Sequence, residues 1–222
     1  MSSPSARVLS VNVALPVDIP EVDSAAVTAI NKRPVTGPVA AYSLGLAGDE
    51  VGDTRFHGGP DKAVYAFARE DLDLWSRRLG THLASGSMFG ESLTTVGIDV
   101  NEAVVGERWR VGTTLLEVCT VRIPCKVFAN WLMLSGHAAA GWMKRFTADA
   151  RPGPYLRVLE DGVLQAGDEV VVEHRPEHGV TVSTMFRALT TDRSLLPRLL
   201  QVEAVPLSVR AKAEAHQSTI WC

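Results

Sequence analysis

Cys125 lies in the stretch Arg122-Ile123-Pro124-Cys125-Lys126, with a proline before it and a basic residue on either side of the pair. Pro124 has no N–H to continue a strand ladder, so a thiol just after the apolar run LLEVCTVR is expected at a sheet edge or barrel rim. Arg122 and Lys126 are close enough in sequence to favour the thiolate, the form that attacks electrophiles or binds a soft metal. The same residues also suit a buried cysteine acting as a small hydrophobe. Cys119, within the run and on the face of Leu115 and Val121, reads as core packing, and Cys222 is terminal.

A second cluster, GDTRFHGGPDK at 52–62, crowds Asp53, Arg55, His57, Asp61 and Lys62 around Gly58-Gly59. Such a loop can turn N–H groups and cations toward an anion, and it can equally be a solvated turn. MFGESLTTVG at 88–97 sets Glu91, Ser92, Thr94 and Thr95 behind Gly90, and KRP at 32–34 adds Lys32 and Arg33, for which exposed charge is the simpler reading. No HExxH, GxSxG, Walker A or GxGxxG pattern occurs, so hydrolytic zinc, a serine elbow and nucleotide cradles have no motif behind them. Iron–sulfur spacing and flavin or haem motifs are also absent, and electrons for any redox chemistry would come from outside the chain.

Several elements must position these residues. VLSVNVAL, with Leu9, Val11 and Val13 at even spacing, predicts a strand that belongs to the core. AVYAF reads as a buried strand, followed by the helical period of REDLDLWSRRLG, with Leu72, Trp75 and Leu79 on one face, an Asp73–Arg77 pair and Gly80 as the stop. Two β-rich runs flank Arg110 to Thr113, and another two flank the hairpin dipeptide Asp161-Gly162. KVFANWL and HAAAGWMKRFTADA between them read as helices. Beyond Pro176, VSTMFRALTT, SLLPRLLQV and LSVRAKAEAH are three short apolar-periodic segments, each with a capping residue near its start and none long enough to stand alone. The expected fold class is α+β, a β-rich barrel-like core with peripheral helices and a small C-terminal three-helix appendage. Residues 1–36 form a lead-in, 37–173 the main domain and 177–220 the appendage.

The 222 residues, 46% hydrophobic and 21% charged, have a formal charge of −3, which argues against a nucleic-acid polymer as partner and leaves any anion site local. Three cysteines without a CxxC pair suggest a reducing compartment. The opening MSSPSARVLSVNVALPVD lacks a cleavage site and no run approaches a membrane span, so the expected location is cytoplasmic, without a membrane.

Taken in order, KRPV, GLAGDEVGDTRFHGGPDKAVYAF, FGESLTTVGI, VGERWRVGTTLLEV, VRIPCK and YLRVLEDGVLQAGDEV resemble the MOSC domain, and with the helical C-terminal segment its YiiM-like subgroup. The resemblance covers nearly the whole chain. It implies a fold that binds the molybdenum cofactor, a molybdopterin, with Cys125 as the protein ligand of molybdenum and the catalytic cysteine. Lys32, Arg55, His57, Gly58, Gly59, Lys62 and Arg122 become the cofactor-binding candidates. It further implies a molybdenum-dependent oxidoreductase that reduces N-hydroxylated bases of the 6-hydroxylaminopurine type, a detoxification, with an external electron-donor reductase as partner. A non-catalytic carrier of the cofactor or its sulfur is the alternative, and a metal-free thiol enzyme using Cys125 as nucleophile is a third. The appended helices offer a surface for a homodimer. Three positions depart from the family pattern: Ser92 replaces an amide, Val121 a proline, and Val51 a glutamine.

Overall fold

The computed structural model describes residues 5–15, 17–18, 27–52, 54, 57–86, 88–138 and 140–220. Its centre is an eight-stranded sheet in the order Val170–His174, Arg108–Val111, Thr114–Val121, Pro154–Glu160, Val64–Ala68, Leu93–Val96, Arg7–Val13, Arg33–Pro34. Val64–Ala68 and Leu93–Val96 pair in parallel, which requires a crossover, and the helix Arg69–Leu79 supplies it. The sheet curls until the start of Arg7–Val13 reaches the start of Val170–His174. Val8 N–H donates to Asp168 C=O at 2.8 Å and Val170 N–H to Ala6 C=O at 2.9 Å, joining the first strand to the segment before the last. The α+β class and barrel-like form are therefore present, without a closed barrel: among the described residues only an isolated bridge, Arg7 to Glu169, links the first strand to the last.

Val64–Ala68 is buried along its whole length, as expected of a strand covered on both faces. The helix after it ends on Gly80 in the left-handed conformation, and it buries Leu72 and Trp75. Asp73 pairs with Arg69 at 2.8 Å, one turn toward the N-terminus, and not with Arg77 as the sequence spacing suggested. The first strand also departs from simple alternation. Its register shifts between Val8 and Ser10, so Val8 and Val11 are fully buried while Leu9 is 40% exposed.

No hairpin forms at Asp161-Gly162. Gly162–Leu164 pairs with Val39–Tyr42, and Thr113 holds it by its N–H to Val163 C=O at 2.9 Å and its Oγ1 accepting from Val163 N–H at 2.8 Å. Local turn propensity loses to these two partners from distant sequence. At the C-terminus the segments are Val182–Thr190, Arg193–Gln201 and Leu207–Ile220. Thr181 and Asp192 cap the first two, accepting from Thr184 and Ser194 N–H groups. The middle one is a 3₁₀-helix containing Pro197, which has no N–H and would clash with an α-helical carbonyl four residues back. Val182, Met185 and Phe186 are buried in the main core, so the appendage is anchored there as well as on itself. Among the described residues no helix is long and apolar enough to cross a membrane.

An aromatic cluster fixes the helices that lie nearest the sheet. Trp75 packs on Trp142 at 4.5 Å between ring centroids, Phe67 on Phe89 at 4.6 Å, and Phe128 on both Phe89 at 5.2 Å and Trp142 at 5.1 Å. This holds Lys126–Leu134 and Trp142–Asp149 against the strands. Next to it runs a buried polar network. Ser10 Oγ donates to Asn12 Oδ1 at 2.6 Å, Asn12 Nδ2 donates to Glu91 C=O at 3.1 Å, and Glu91 Oε1 accepts from Gly86 N–H at 2.6 Å and Thr94 Oγ1 at 2.9 Å. Glu91 is fully buried, and its Oε2 has no partner among the described residues.

Gly153 lets two strands approach. It has φ +72°, and a Cβ there would lie 2.3 Å from Ala66 C=O. Gly153→Ala is expected to lower unfolding free energy by about 3 kcal/mol, read from the urea midpoint at constant m. A midpoint equal to the wild type would show that the strands tolerate the extra carbon. Glu91 gives a pH prediction. Burial raises its carboxyl above the ordinary value of 4.5 despite the opposing hydrogen bonds from Gly86 and Thr94. The folded state therefore holds the proton longer than the unfolded chain, and wild-type stability falls as pH rises from about 4.5 toward the raised value. Glu91→Gln, an uncharged stand-in for the protonated acid, escapes this loss. Its advantage should widen by about 1.4 kcal/mol per pH unit within that window, and a difference independent of pH would refute the assignment.

Candidate functional site

The strand Thr114–Val121 ends one residue before Arg122, and helix Lys126–Leu134 begins just after Cys125. Pro124 separates the two elements. Cys125 itself is the extended N-cap residue, with φ −132° and ψ 171°, and its carbonyl accepts from Ala129 N–H at 3.2 Å. Its thiol is half-buried and lines a cavity of about 440 Å³. The helix presents its first turn to that cavity through Lys126 and Val127, so the positive end of the helix dipole faces in.

Arg122 is buried beside the thiol. Its Nη1 donates to the Phe89 carbonyl, and the guanidinium carbon sits 4.1 Å from the Phe128 ring centroid and 5.2 Å from that of Tyr65. Burial works against its charge, yet Tyr65, Tyr155 and Cys125 outweigh burial and hold its pKa above the ordinary arginine value. Burial pushes the phenols of Tyr65 and Tyr155 up, so both keep their protons at neutral pH. Tyr65 donates to Pro152 C=O at 2.6 Å.

Lys32 lines the same cavity and is buried, whereas Arg33 is exposed; surface charge describes only the second of the pair. Its Nζ forms an ion pair with Asp49. Asp49 Oδ1 also accepts from Ala14 N–H at 3.0 Å, and Oδ2 from Ser92 Oγ at 3.5 Å. Lys62 and His57 complete the polar wall. Burial lowers the Lys62 pKa, Asp61 opposes that, and Lys212 adds to it. Gly58 has φ +77°, which strains any other residue, and a Cβ there would lie a tight 3.1 Å from a Val51 methyl.

Lys32, His57, Gly58, Lys62, Arg122 and Cys125 thus share one cavity. Gly59 lines an adjoining one, and Arg55, with Asp53, lies outside the described residues. Asp61 binds Arg157 at 3.0 Å and does not line the thiol cavity. Asp49, Tyr65, Tyr155 and Phe128 line the cavity without any sequence signal that singled them out. Cys119 is fully buried, with Arg157 Nη2 at 3.1 Å, and burial pushes its thiol up. That environment keeps it unreactive. Among the described residues no three His, Cys, Asp or Glu side chains could hold a metal together.

A family model described as MOSC domain matches residues 53–171. The chain is 30% identical over 207 residues to the uncharacterized protein YflK of Bacillus subtilis (strain 168), covering 92% of this chain and 91% of that one. It is 36% identical over 100 residues to protein YiiM of Escherichia coli (strain K12), covering 44% and 45%. Among solved structures, YiiM from Geobacillus stearothermophilus superposes with a TM-score of 0.76 at 24% identity, covering 95% of this chain and 98% of that one. YiiM from Escherichia coli gives 0.69 at 23% identity, covering 85% and 89%. At these identities the structural likeness is one of fold. The family match, which includes Cys125 and the part of its cavity from His57 onward, together with a relative aligned over nearly its full length, makes the chain a MOSC domain protein of the YiiM-like kind.

Proposed function

We propose that this protein binds the molybdenum cofactor and reduces N-hydroxylated bases, or related N-oxygenated compounds. The observation that carries the reading is a half-buried thiol at a helix N-cap, inside a cavity lined by Lys32, Lys62, Arg122 and Lys126 as well as by the carboxylates of Asp49 and Glu50. The donor set fits the group. A thiolate is the soft ligand suited to a metal already held by dithiolene sulfur, and cations with exposed N–H groups suit a phosphorylated pterin. The cavity, about 440 Å³, is within the range of roughly 300–1,000 Å³ usual for pockets that enclose organic ligands.

Within that reading Cys125 holds the metal, and Arg122, His57 and Lys62 face the anionic parts of the cofactor, with Gly58 allowing its backbone close. Lys32 takes a different part. Its charge is already answered by Asp49, whose carboxylate would repel a phosphate, so the pair serves as a donor–acceptor edge for the polar rim of the pterin. When bound, the cofactor supplies two-electron chemistry that an external electron-donor reductase replenishes. The substrate takes two electrons and two protons, its N–O bond breaks, and the amine and one water leave. Tyr155, which burial keeps protonated, is an O–H donor lining the cavity for the departing oxygen.

Elemental analysis of protein from a cofactor-competent host tests this. Wild type should carry about one molybdenum per chain, and Cys125→Ala should lose at least about tenfold of it while melting normally. Loaded wild type should oxidise a reduced viologen dye only when an N-hydroxylated base is added. Molybdenum without substrate-dependent oxidation would make the protein a carrier, and metal-free wild type would end the reading altogether.

A further inference from the structure

The loop between Gly86 and Ser92 touches three polar residues of the thiol cavity. Gly86 C=O accepts from Lys32 N–H at 3.2 Å, the Phe89 carbonyl accepts from Arg122 Nη1, and Ser92 Oγ donates to Asp49 Oδ2 at 3.5 Å. Gly90 and Ser92 line the cavity themselves. Lys32, Asp49 and Arg122 come from three separate stretches of chain, and this one loop meets them all.

One side chain ties the two ends of the loop together. Glu91 Oε1 accepts from Gly86 N–H at 2.6 Å and from Thr94 Oγ1 at 2.9 Å, so a single oxygen joins the start of the loop to the strand Leu93–Val96 that follows it. Asn12 fixes the same point to the first strand, its Nδ2 donating to Glu91 C=O at 3.1 Å and its N–H to Ser92 C=O at 2.8 Å. The glycines leave little slack. A Cβ on Gly86 would lie 2.7 Å from that of Asn12, and one on Gly90 3.0 Å from Ile30 Cγ1. Packing this close transmits a shift at Gly86 along the loop instead of absorbing it.

Glu91 is fully buried and does not line the cavity, and its Oε2 has no partner among the described residues. Burying a carboxyl with half its hydrogen-bonding capacity unused is unfavourable, so its own contacts do not account for it. What it holds does. The Arg122 charge also acts on the Glu91 carboxyl, opposing the effect of burial, so the two side chains are near enough to sense one another.

We propose that Glu91 is a positioning residue of the site: its carboxyl sets the loop that aims the Phe89 carbonyl at Arg122, and through Arg122 the surroundings of Cys125. That role does not depend on the cofactor reading above; only the molybdenum content does. The rate at which iodoacetamide alkylates Cys125, located by peptide mass spectrometry, reports those surroundings in the full chain purified from a host that cannot make the cofactor. Glu91→Ala is expected to change the rate at least about threefold, Arg122→Met to change it in the same direction, and the double variant to go no further than Arg122→Met alone. Glu91→Gln, whose amide oxygen can accept from the same two donors, should stay within about twofold of wild type. Thr181→Ala, which removes a helix cap outside the cavity lining, controls for lost stability and should leave the rate unchanged. Should Glu91→Ala fail to fold, as its melting curve would reveal, Glu91→Asp replaces it, one methylene short of joining Gly86 to Thr94. From a cofactor-competent host, molybdenum content should fall at least about threefold in Glu91→Ala and hold in Glu91→Gln. A wild-type alkylation rate in the folded alanine or aspartate variant, effects of Glu91→Ala and Arg122→Met that multiply in the double variant, or an equal change in Thr181→Ala overturns the positioning role, whatever the molybdenum content. Wild type that takes up no molybdenum while the alkylation pattern holds ends the cofactor reading and leaves Glu91 in its role.

Discussion

Arg122 is the residue on which the site depends. An arginine charge removed from water is costly unless its surroundings replace the lost solvation. The replacements come from separate elements: the carbonyl of Phe89 from the loop before Leu93–Val96, the Phe128 ring from helix Lys126–Leu134, and the Tyr65 ring from the central strand. Moving any of them leaves a buried cation less well satisfied. The guanidinium therefore fixes the relative placement of loop, helix and strand, and the helix starting at Cys125 is one of the parts it fixes. Its backbone N–H reaches Gly153 C=O at 3.5 Å, adding the neighbouring strand to the same junction.

Much of the fold was legible because its signals are local. A continuous apolar run gave the buried strand Val64–Ala68, and the 3.6-residue period of Leu72 and Trp75 ending on glycine gave the helix after it. The failures share a cause. Asp161-Gly162 has hairpin chemistry, but Gly162–Leu164 finds Val39–Tyr42 and Thr113, partners more than forty residues away in the chain. Leu9 keeps perfect alternation with Val11, yet a bulge answering to the opposite strand turns it outward. Asp73 had Arg77 available at helical spacing and took Arg69. Each was a choice between a local partner and another the sequence also permitted, and periodicity cannot rank the two.

The site divides along the same line. Cys125, Arg122, His57, Gly58 and Lys62 were visible since each lies in a short stretch dense with proline, glycine or charge, where a regular element must stop. Tyr155 carries no such mark: it is the second residue of the strand Pro154–Glu160 and lines the cavity where that strand pairs beside Val64–Ala68. Lys212 lies on a helix with no pronounced apolar stripe, and only tertiary packing brings it to a cavity that Lys62 also lines. Lys32 shows the limit in another way. Its sequence context identifies a cation but not Asp49, seventeen residues on, which cancels the charge while keeping the side chain buried.

Asp49 also bears on the three departures from the family pattern. An amide at position 92 would both donate and accept; the Ser92 hydroxyl does so at shorter reach, with contacts to Tyr65 N–H and Asp49 that are both 3.5 Å, at the outer limit of a hydrogen bond. Val51, where a glutamine is usual, lines the cavity and packs beneath Gly58 without any polar atom to offer. Two amides' worth of hydrogen-bonding capacity is thus reduced, and the Lys32–Asp49 pair adds a donor and an acceptor on that wall beside the Ser92 hydroxyl. Val121 is of another kind. It continues the ladder opposite Pro154 and leaves the break in the strand to Pro124 alone, one residue ahead of the sulfur. The direction of the thiol then rests on Pro124, the helix it precedes and Phe128 under Arg122, so replacing the family's proline by valine changes the strand's last rung and leaves intact the contacts that aim Cys125 into the cavity.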